Sequence, residues 1–138
     1  MFNPSSDLTV IQNIFKADST ILSLLNLTGK TQTEILKKII RKSTWSDLAT
    51  NERRLCLYFR PSRLLGNKKF TGDVIQFDCY VPADDEFYAY QVQERIFALL
   101  NEKMVNNRYL YLDGQLGELP TMSGFFCAGS RYWFNRKI

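Results

Sequence analysis

The feature of this chain that most restricts its fold is a change in hydrophobic period at Pro82. Before the proline, residues 74–81 alternate in polarity, as a strand half-buried in a sheet does. After it, apolar residues recur about every 3.6 residues in a segment that opens with acidic side chains, as in an amphipathic helix. The sequence therefore predicts a strand docked against the helix that follows it.

The predicted helix begins at Asp84 or Asp85 and ends near Met104. Acidic residues at its start and Lys103 at its end complement the partial charges of the two helix ends. One apolar stripe is expected to face the sheet, formed by Ala89, Val92, Ile96, Leu99 and Leu100.

Four segments are predicted to be strands. Arg54–Arg60 alternates, and together with Phe70–Val81 it predicts an extended hairpin joined by a basic connection. Tyr109–Leu112 predicts a short strand, and Phe125–Phe134 predicts a final strand rich in aromatic residues. The segment between these last two, Gly114–Thr121, is expected to be a loop.

Helices are also predicted near the amino terminus. Asp7 is the expected cap of a first helix and Asp18 of a second, because a carboxylate at this position accepts a backbone N–H. Gly29 is expected to end the second helix. Residues 31–42 then predict a shorter basic helix, since four apolar residues recur there at helical spacing: Ile35, Leu36, Ile39 and Ile40.

The composition predicts one domain over residues 1–138, because this length and a hydrophobic content of 45% suffice for a single core. No apolar run approaches the roughly 20 residues that a membrane helix requires. Residues 1–7 contain no basic segment followed by an apolar stretch, so no secretory signal is predicted. We therefore expect a soluble protein that is made in a cytoplasm and has no membrane partner.

The residue inventory argues against an enzyme. The chain has no histidine, which removes the commonest general base and the commonest zinc ligand. Cys56, Cys79 and Cys127 are widely spaced within apolar segments, so they are predicted to be buried, reduced thiols. No phosphate-binding glycine motif is present. No catalytic residue, cofactor or metal is therefore predicted.

Two short motifs have an alternative reading. Asp84, Asp85 and Glu86 could suggest a magnesium site, but acidic residues at a helix start are explained by capping and by the helix dipole. Residues 114–117 match the GxxG of a KH nucleic-acid loop, but that loop joins two helices, whereas a strand pattern precedes this one. Neither motif predicts a site.

The formal net charge of +4 arises from short, scattered basic clusters, which favours a solvated surface over a continuous phosphate-binding track. Trp45 and Trp133, with nearby arginines, could stack on nucleic-acid bases or could anchor a protein interface. The long hairpin favours the protein interface, because exposed strand edges are surfaces on which a neighbour can dock.

The order of elements resembles the tail terminator or tail completion proteins of long-tailed bacteriophages. Two segments carry the resemblance: residues 18–25, which end in a Leu-Leu pair, and the strand of residues 74–80 with the helix ending at residues 96–100. The resemblance implies an α+β fold, with a mostly antiparallel sheet of about four strands, helices packed against it and the extended hairpin loop.

The resemblance also implies a structural virion protein of the phage neck, assembled in the host cytoplasm. Such a protein would cap the tail tube as a homo-oligomeric ring, expected to be a hexamer, and would join it to a head connector or stopper protein. DNA would pass through the ring without specific binding. Residues 31–46 are longer and more basic than this pattern, so a head completion or stopper protein remains an alternative. A sequence-independent nucleic-acid-binding module is the other.

The residues expected at interfaces belong to two groups. The first lies in the connection from Arg60 to Gly72 and comprises Arg60, Arg63, Lys68 and Lys69. The second comprises the two tryptophans, Trp45 and Trp133.

Overall fold

A computed structural model of the protein describes residues 4–45, 51–60, 63–64 and 70–137, with side chains at residues 5–45, 51–60 and 74–134. The helices are α1 (Pro4–Ala17), α2 (Ser19–Leu24), α3 (Gln32–Lys38) and α4 (Glu86–Leu100), the last preceded by a short 3-10 helix at Ala83–Asp85. The strands are β1 (Ile39–Ile40), β2 (Arg54–Phe59), β3 (Arg63–Leu64), β4 (Phe70–Pro82), β5 (Lys103–Val105), β6 (Arg108–Leu119) and β7 (Phe125–Lys137).

The strands form one sheet in the order β1-β2-β4-β7-β6-β5, with β3 paired to β4. Among the described residues, all strand pairings are antiparallel except that of β1 with β2. The fold is therefore α+β, as expected, but the sheet is mixed and has seven strands in the described part of the chain, rather than about four. The four predicted strands correspond to β2, β4, β6 and β7. The three that were missed span only two or three residues each and give little alternation to detect.

The helices cover one face of the sheet, and the core lies between the two layers. Phe15 of α1 meets Phe77 of β4 edge to face with ring centroids 5.5 Å apart, and Phe77 meets Tyr132 of β7 at the same distance. On α4 the predicted stripe is buried at Ala89, Val92, Ile96 and Leu100, whereas Leu99 is only partly buried. The docking of strand on helix predicted from the change of period is thus confirmed.

Several predicted boundaries were wrong. Helix α4 ends at Leu100, because Glu102 adopts a left-handed backbone conformation with φ of 59° and Lys103 begins a strand. Asp7 lies within the first turn of α1 and does not cap it. Thr31 caps α3, but Ile39 and Ile40 pair with β2 instead of continuing the helix.

The largest error concerns residues 114–119, which were expected to form a loop. They continue β6 and pair with residues 127–131 of β7. The register shifts between Leu112 and Gly114 and again between Gln115 and Gly117, so β6 accommodates one extra residue at each shift, Asp113 and Leu116. No helix in the described part of the chain is long and apolar enough to cross a membrane.

Candidate interaction surfaces

One flank of α4 exposes a row of aromatic side chains, which we call the aromatic ridge: Phe87, Tyr90 and Phe97. Their exposed fractions are 66%, 43% and 41%. Together with Glu94 they are spaced three and four residues apart, so they share one face of the helix. Large apolar side chains grouped on a surface mark interaction sites more often than isolated ones do.

The ridge continues onto the sheet. Tyr90 contacts Phe126 of β7 edge to face, with ring centroids 5.6 Å apart. Tyr90 and Glu94 also line a depression of about 260 Å³, whose other side is formed by Gln115 and Gly117 of β6. The irregular part of β6 and the ridge therefore border the same surface.

Hydrogen bonds hold α4 firmly beneath the ridge. The buried Gln93 side chain donates from Nε2 to the backbone oxygens of Phe77 and Ala128, at 3.0 and 2.9 Å. Its Oε1 accepts from the Ser130 hydroxyl at 2.5 Å. Because these bonds join the helix to both central strands, the ridge projects from a fixed support.

The side of α4 away from the ridge packs against α2. Arg95 donates two hydrogen bonds to the Asp18 carboxylate, which also caps α2 by accepting from the Ile21 N–H at 2.9 Å. The hydrogen bond from Arg95 holds the pKa of Asp18 below its ordinary value. Nearby, the Arg53 guanidinium lies 3.9 Å from the centre of the Tyr88 ring and pairs with Asp85.

A second surface feature is a groove between α1, α3 and β1, which we call the basic groove. It has a volume of about 500 Å³. Leu8, Leu36 and Ile40 contribute apolar surface, and Leu36 is 43% exposed. Arg41 and Lys42 also line the groove, and the Arg41 guanidinium is held by a 2.9 Å hydrogen bond to the Thr9 hydroxyl oxygen.

The sheet face opposite the helices contains a buried polar chain. The Tyr58 hydroxyl donates to Asp78 Oδ2 at 2.6 Å, and Gln76 Nε2 donates to Asp78 Oδ1 at 2.8 Å. Arg131 then donates to Gln76 Oε1 at 3.1 Å. Burial and the bond to Asp78 raise the pKa of the Tyr58 hydroxyl above its ordinary value. This network crosses β2, β4 and β7, so its evident role is to hold the sheet face in one arrangement.

Beside this network lies an aromatic row, formed by Tyr109, Tyr111 and Trp133. The Tyr111 and Trp133 rings lie across neighbouring strands with centroids 5.0 Å apart, and Tyr109 follows Tyr111 at 6.3 Å. Trp133 and Tyr111 are half-buried, whereas Tyr109 is exposed. The row gives the sheet a stacked aromatic surface close to the Arg131 side chain.

Trp45 lies elsewhere, among residues of its own chain. Its ring contacts Tyr80 and Phe125 edge to face, at 4.6 and 5.7 Å between centroids. The buried Arg54 guanidinium lies 4.9 Å from its centre. Trp45 is half-buried, so much of its surface is already covered by other residues of its own chain.

The predicted interface residues do not form one described cluster. Trp45 and Trp133 occupy the separate positions given above, and Arg60 is exposed just after β2, where its N–H donates to the Val74 oxygen. Arg63 belongs to β3, paired with Gly72 of β4. Lys68 and Lys69 lie outside the described residues. Their roles at an interface remain predictions.

The cysteines, acidic residues and glycines considered as possible catalytic or binding groups all belong to the framework of the fold. Cys56, Cys79 and Cys127 are free and buried, as predicted, and burial raises the pKa of Cys56 and of Cys127 to about 12. In the described parts of the chain, no group of three or more acidic or cysteine side chains could hold a metal ion. Gly114 and Gly117 belong to β6, which rules out the helix-joining loop of a KH domain.

No family model matches the chain, and no curated protein matches its sequence. The surfaces above are therefore interpreted from their own geometry. The ridge could have been recognised in the sequence, because Phe87, Tyr90 and Phe97 recur at helical spacing on a second face of α4. Only the apolar stripe on the buried face of α4 was used to predict this helix. The basic groove gives no such signal, since its lining comes from three elements.

Proposed function

We propose that this chain is a structural protein of the phage neck, which assembles as a ring on the tail tube and joins it to the head connector. The observation that carries the self-assembly part of the proposal is the aromatic ridge. Phe87, Tyr90 and Phe97 stand in a row on a rigid helix, and covering them in a subunit interface would remove a large apolar area from water.

The neck assignment rests on the resemblance of the element order to tail terminator proteins. Its two segments are neighbours in the fold, because Asp18 at the start of α2 binds Arg95 of α4. The assignment covers head completion and stopper proteins as alternatives, since these also form interfaces through shape rather than through chemistry. The expected partners are the tail tube protein and a head connector or stopper protein.

The test is to mix the purified protein with tail tubes and to image them by negative staining. The proposal predicts a ring at one end of each tube, and tubes that stop elongating once it is present. Phe87→Ala should reduce end occupancy, whereas Met104→Ala, which truncates a similarly exposed residue on β5, should not. Tubes without rings at any protein concentration would contradict the terminator assignment.

A second candidate function is sequence-independent binding of single-stranded nucleic acid, which the row of Tyr109, Tyr111 and Trp133 beside Arg131 favours. On this hypothesis Trp133→Ala should weaken binding to a fluorescent oligonucleotide, and affinity should fall steeply with salt. The ring proposal predicts no binding of this kind at 0.15 M salt. The two functions are thus separated by one titration.

A further inference from the structure

We infer that the basic groove of one copy receives the aromatic ridge of the next copy, so that the ring is built by a single head-to-tail contact. This inference rests on the proposed ring function and specifies its interface. It joins Leu8, Leu36 and Ile40 of the groove to Phe87, Tyr90 and Phe97 of the ridge.

The two surfaces are complementary in shape. The ridge presents bulky side chains that project from a helix, and Phe87 is the most exposed large apolar residue among those described. The groove is a concave space of about 500 Å³ with apolar side chains from two helices and a strand. Aromatic anchors that fill apolar pockets are the usual centres of binding energy in protein interfaces.

The two surfaces are also complementary in charge. Two exposed acidic residues of α4, Glu86 and Glu94, accompany the ridge. The side chains that line the groove include two basic residues, Arg41 and Lys42, and no acidic residue. Glu94 is exposed within the ridge face, and Lys42 is exposed while lining the groove. Opposite charges around an apolar contact favour this pairing and set its orientation.

The position of the two surfaces suits a ring. Helix α2 packs against α1 on one side and against α4 on the other. The ridge lies on the flank of α4 facing away from α2, whereas the groove lies on α1 and α3. Because one copy presents two different surfaces on different sides, the contact is heterologous, and it closes a ring when the rotation between neighbouring copies divides a full turn.

The first test is a charge swap, measured as the protein concentration at half-assembly in light scattering. Glu94→Lys and Lys42→Glu should each raise this concentration about tenfold at low salt, and the double variant should recover most of the loss. Lys103→Glu is the control, because it makes the same change of charge as Lys42→Glu but on β5. Combined with Glu94→Lys, it should leave the half-assembly concentration as high as in Glu94→Lys alone. Equal assembly by all variants would overturn the inference.

The second test is cross-linking with a short bifunctional maleimide. The three native thiols are buried, so Leu36→Cys and Tyr90→Cys would introduce the reactive groups. A mixture of the two single variants should give cross-linked dimers, and the double variant should give a ladder of multimers. A mixture in which Met104→Cys replaces Tyr90→Cys should give neither product.

The outcomes separate this inference from the proposed function. One outcome is that rings form normally on tail tubes with Glu94→Lys, and that Leu36→Cys and Tyr90→Cys give no cross-link. This outcome would overturn the pairing of groove and ridge and leave the neck function intact. A wild-type chain that stays monomeric, with and without tubes, would overturn both. Cross-linked closed rings that ignore tubes would support the pairing and contradict the neck function.

Discussion

The Arg95 guanidinium donates two hydrogen bonds, of 3.0 and 2.6 Å, to the carboxylate of Asp18, a residue 77 positions earlier in the chain. The same carboxylate caps α2 through the Ile21 N–H. One side chain therefore both starts a short helix and fixes it to α4. Since the ridge lies on the opposite flank of α4, this pair helps to set where the ridge projects.

Replacement of Asp18 should separate these two roles. Asp18→Ala removes the cap and the ion pair and should lower the free energy of unfolding by about 1–2 kcal/mol for the lost cap alone. Asp18→Asn retains a capping oxygen, so it should lower the free energy of unfolding by less than Asp18→Ala does. Chemical denaturation of both variants measures the difference, and equal losses would mean that Asp18 does not act as a cap.

The Asp18 pair should also make stability depend on pH. The pKa of Asp18 is lowered in the folded protein, so its contribution is fully present above the unfolded-state pKa, near 4. That contribution is lost as the pH falls through the lower, folded-state pKa. The difference in the free energy of unfolding between wild type and Asp18→Asn should therefore become smaller below about pH 4. A gap that stays constant from pH 6 to pH 2.5 would contradict the assignment.

Replacing Gly129 of β7 with any residue that has a side chain should destabilise the protein. A Cβ atom there would lie 2.5 Å from Leu119 Cδ1 and 2.8 Å from Asp78 Oδ1, and Asp78 is held by Tyr58 and Gln76. We expect Gly129→Ala to lower the melting temperature and cost about 1–3 kcal/mol. Gly114→Ala is the matched control, because no atom lies within 4 Å of its Cβ position. If both variants melted like wild type, the described packing around Gly129 would be wrong.

The buried Gln93 should be coupled to Ser130. Gln93→Leu leaves two backbone oxygens and the Ser130 hydroxyl without this partner and should cost about 1–3 kcal/mol. A double-mutant cycle with Ser130→Ala should give a coupling energy of about 0.5–3 kcal/mol. Gln91→Leu changes the half-buried neighbour two positions earlier and should move stability by less than about 0.5 kcal/mol. Additive effects of Gln93→Leu and Ser130→Ala would count against the bond.

The three thiols should be inert in the folded protein. Burial raises the pKa of Cys56 and Cys127 to about 12 and that of Cys79 well above its ordinary value, so almost no thiolate is present at pH 8. A chromogenic disulfide reagent should detect no rapidly reacting thiol in the native protein. It should detect all three after unfolding in guanidinium chloride. Fast labelling of the native chain would show that one cysteine is accessible.

The parts of the fold that the sequence predicted are those set by local patterns. The alternation before Pro82 and the helical period after it correspond to β4 and α4, and Asp18 caps α2 as expected. The parts of the fold that the sequence did not predict depend on pairing between strands that are distant in the chain. Ile39 and Ile40 continue a helical spacing, yet they bind β2, because long-range strand pairing outweighed local preference.

The extension of β6 shows the same limit. Gly114 and Gly117 suggest a loop from sequence alone, but pairing with β7 keeps this segment in the sheet through two shifts of register. The basic groove was unpredictable for a related reason, since its apolar residues come from α1, α3 and β1 and meet only in the folded chain. The ridge could have been found from the spacing of its aromatic residues, but its exposure depends on how α4 is rotated against the sheet.

The most direct test of the ring proposal is the mass of the assembly in solution, measured by native mass spectrometry across a concentration series, alone and with short tail tubes. We expect one closed species of six 16.1 kDa chains, which Phe87→Ala weakens and Met104→Ala leaves unchanged. A chain that remains a monomer at every concentration, and that adds no closed set of copies to the tubes, would contradict it.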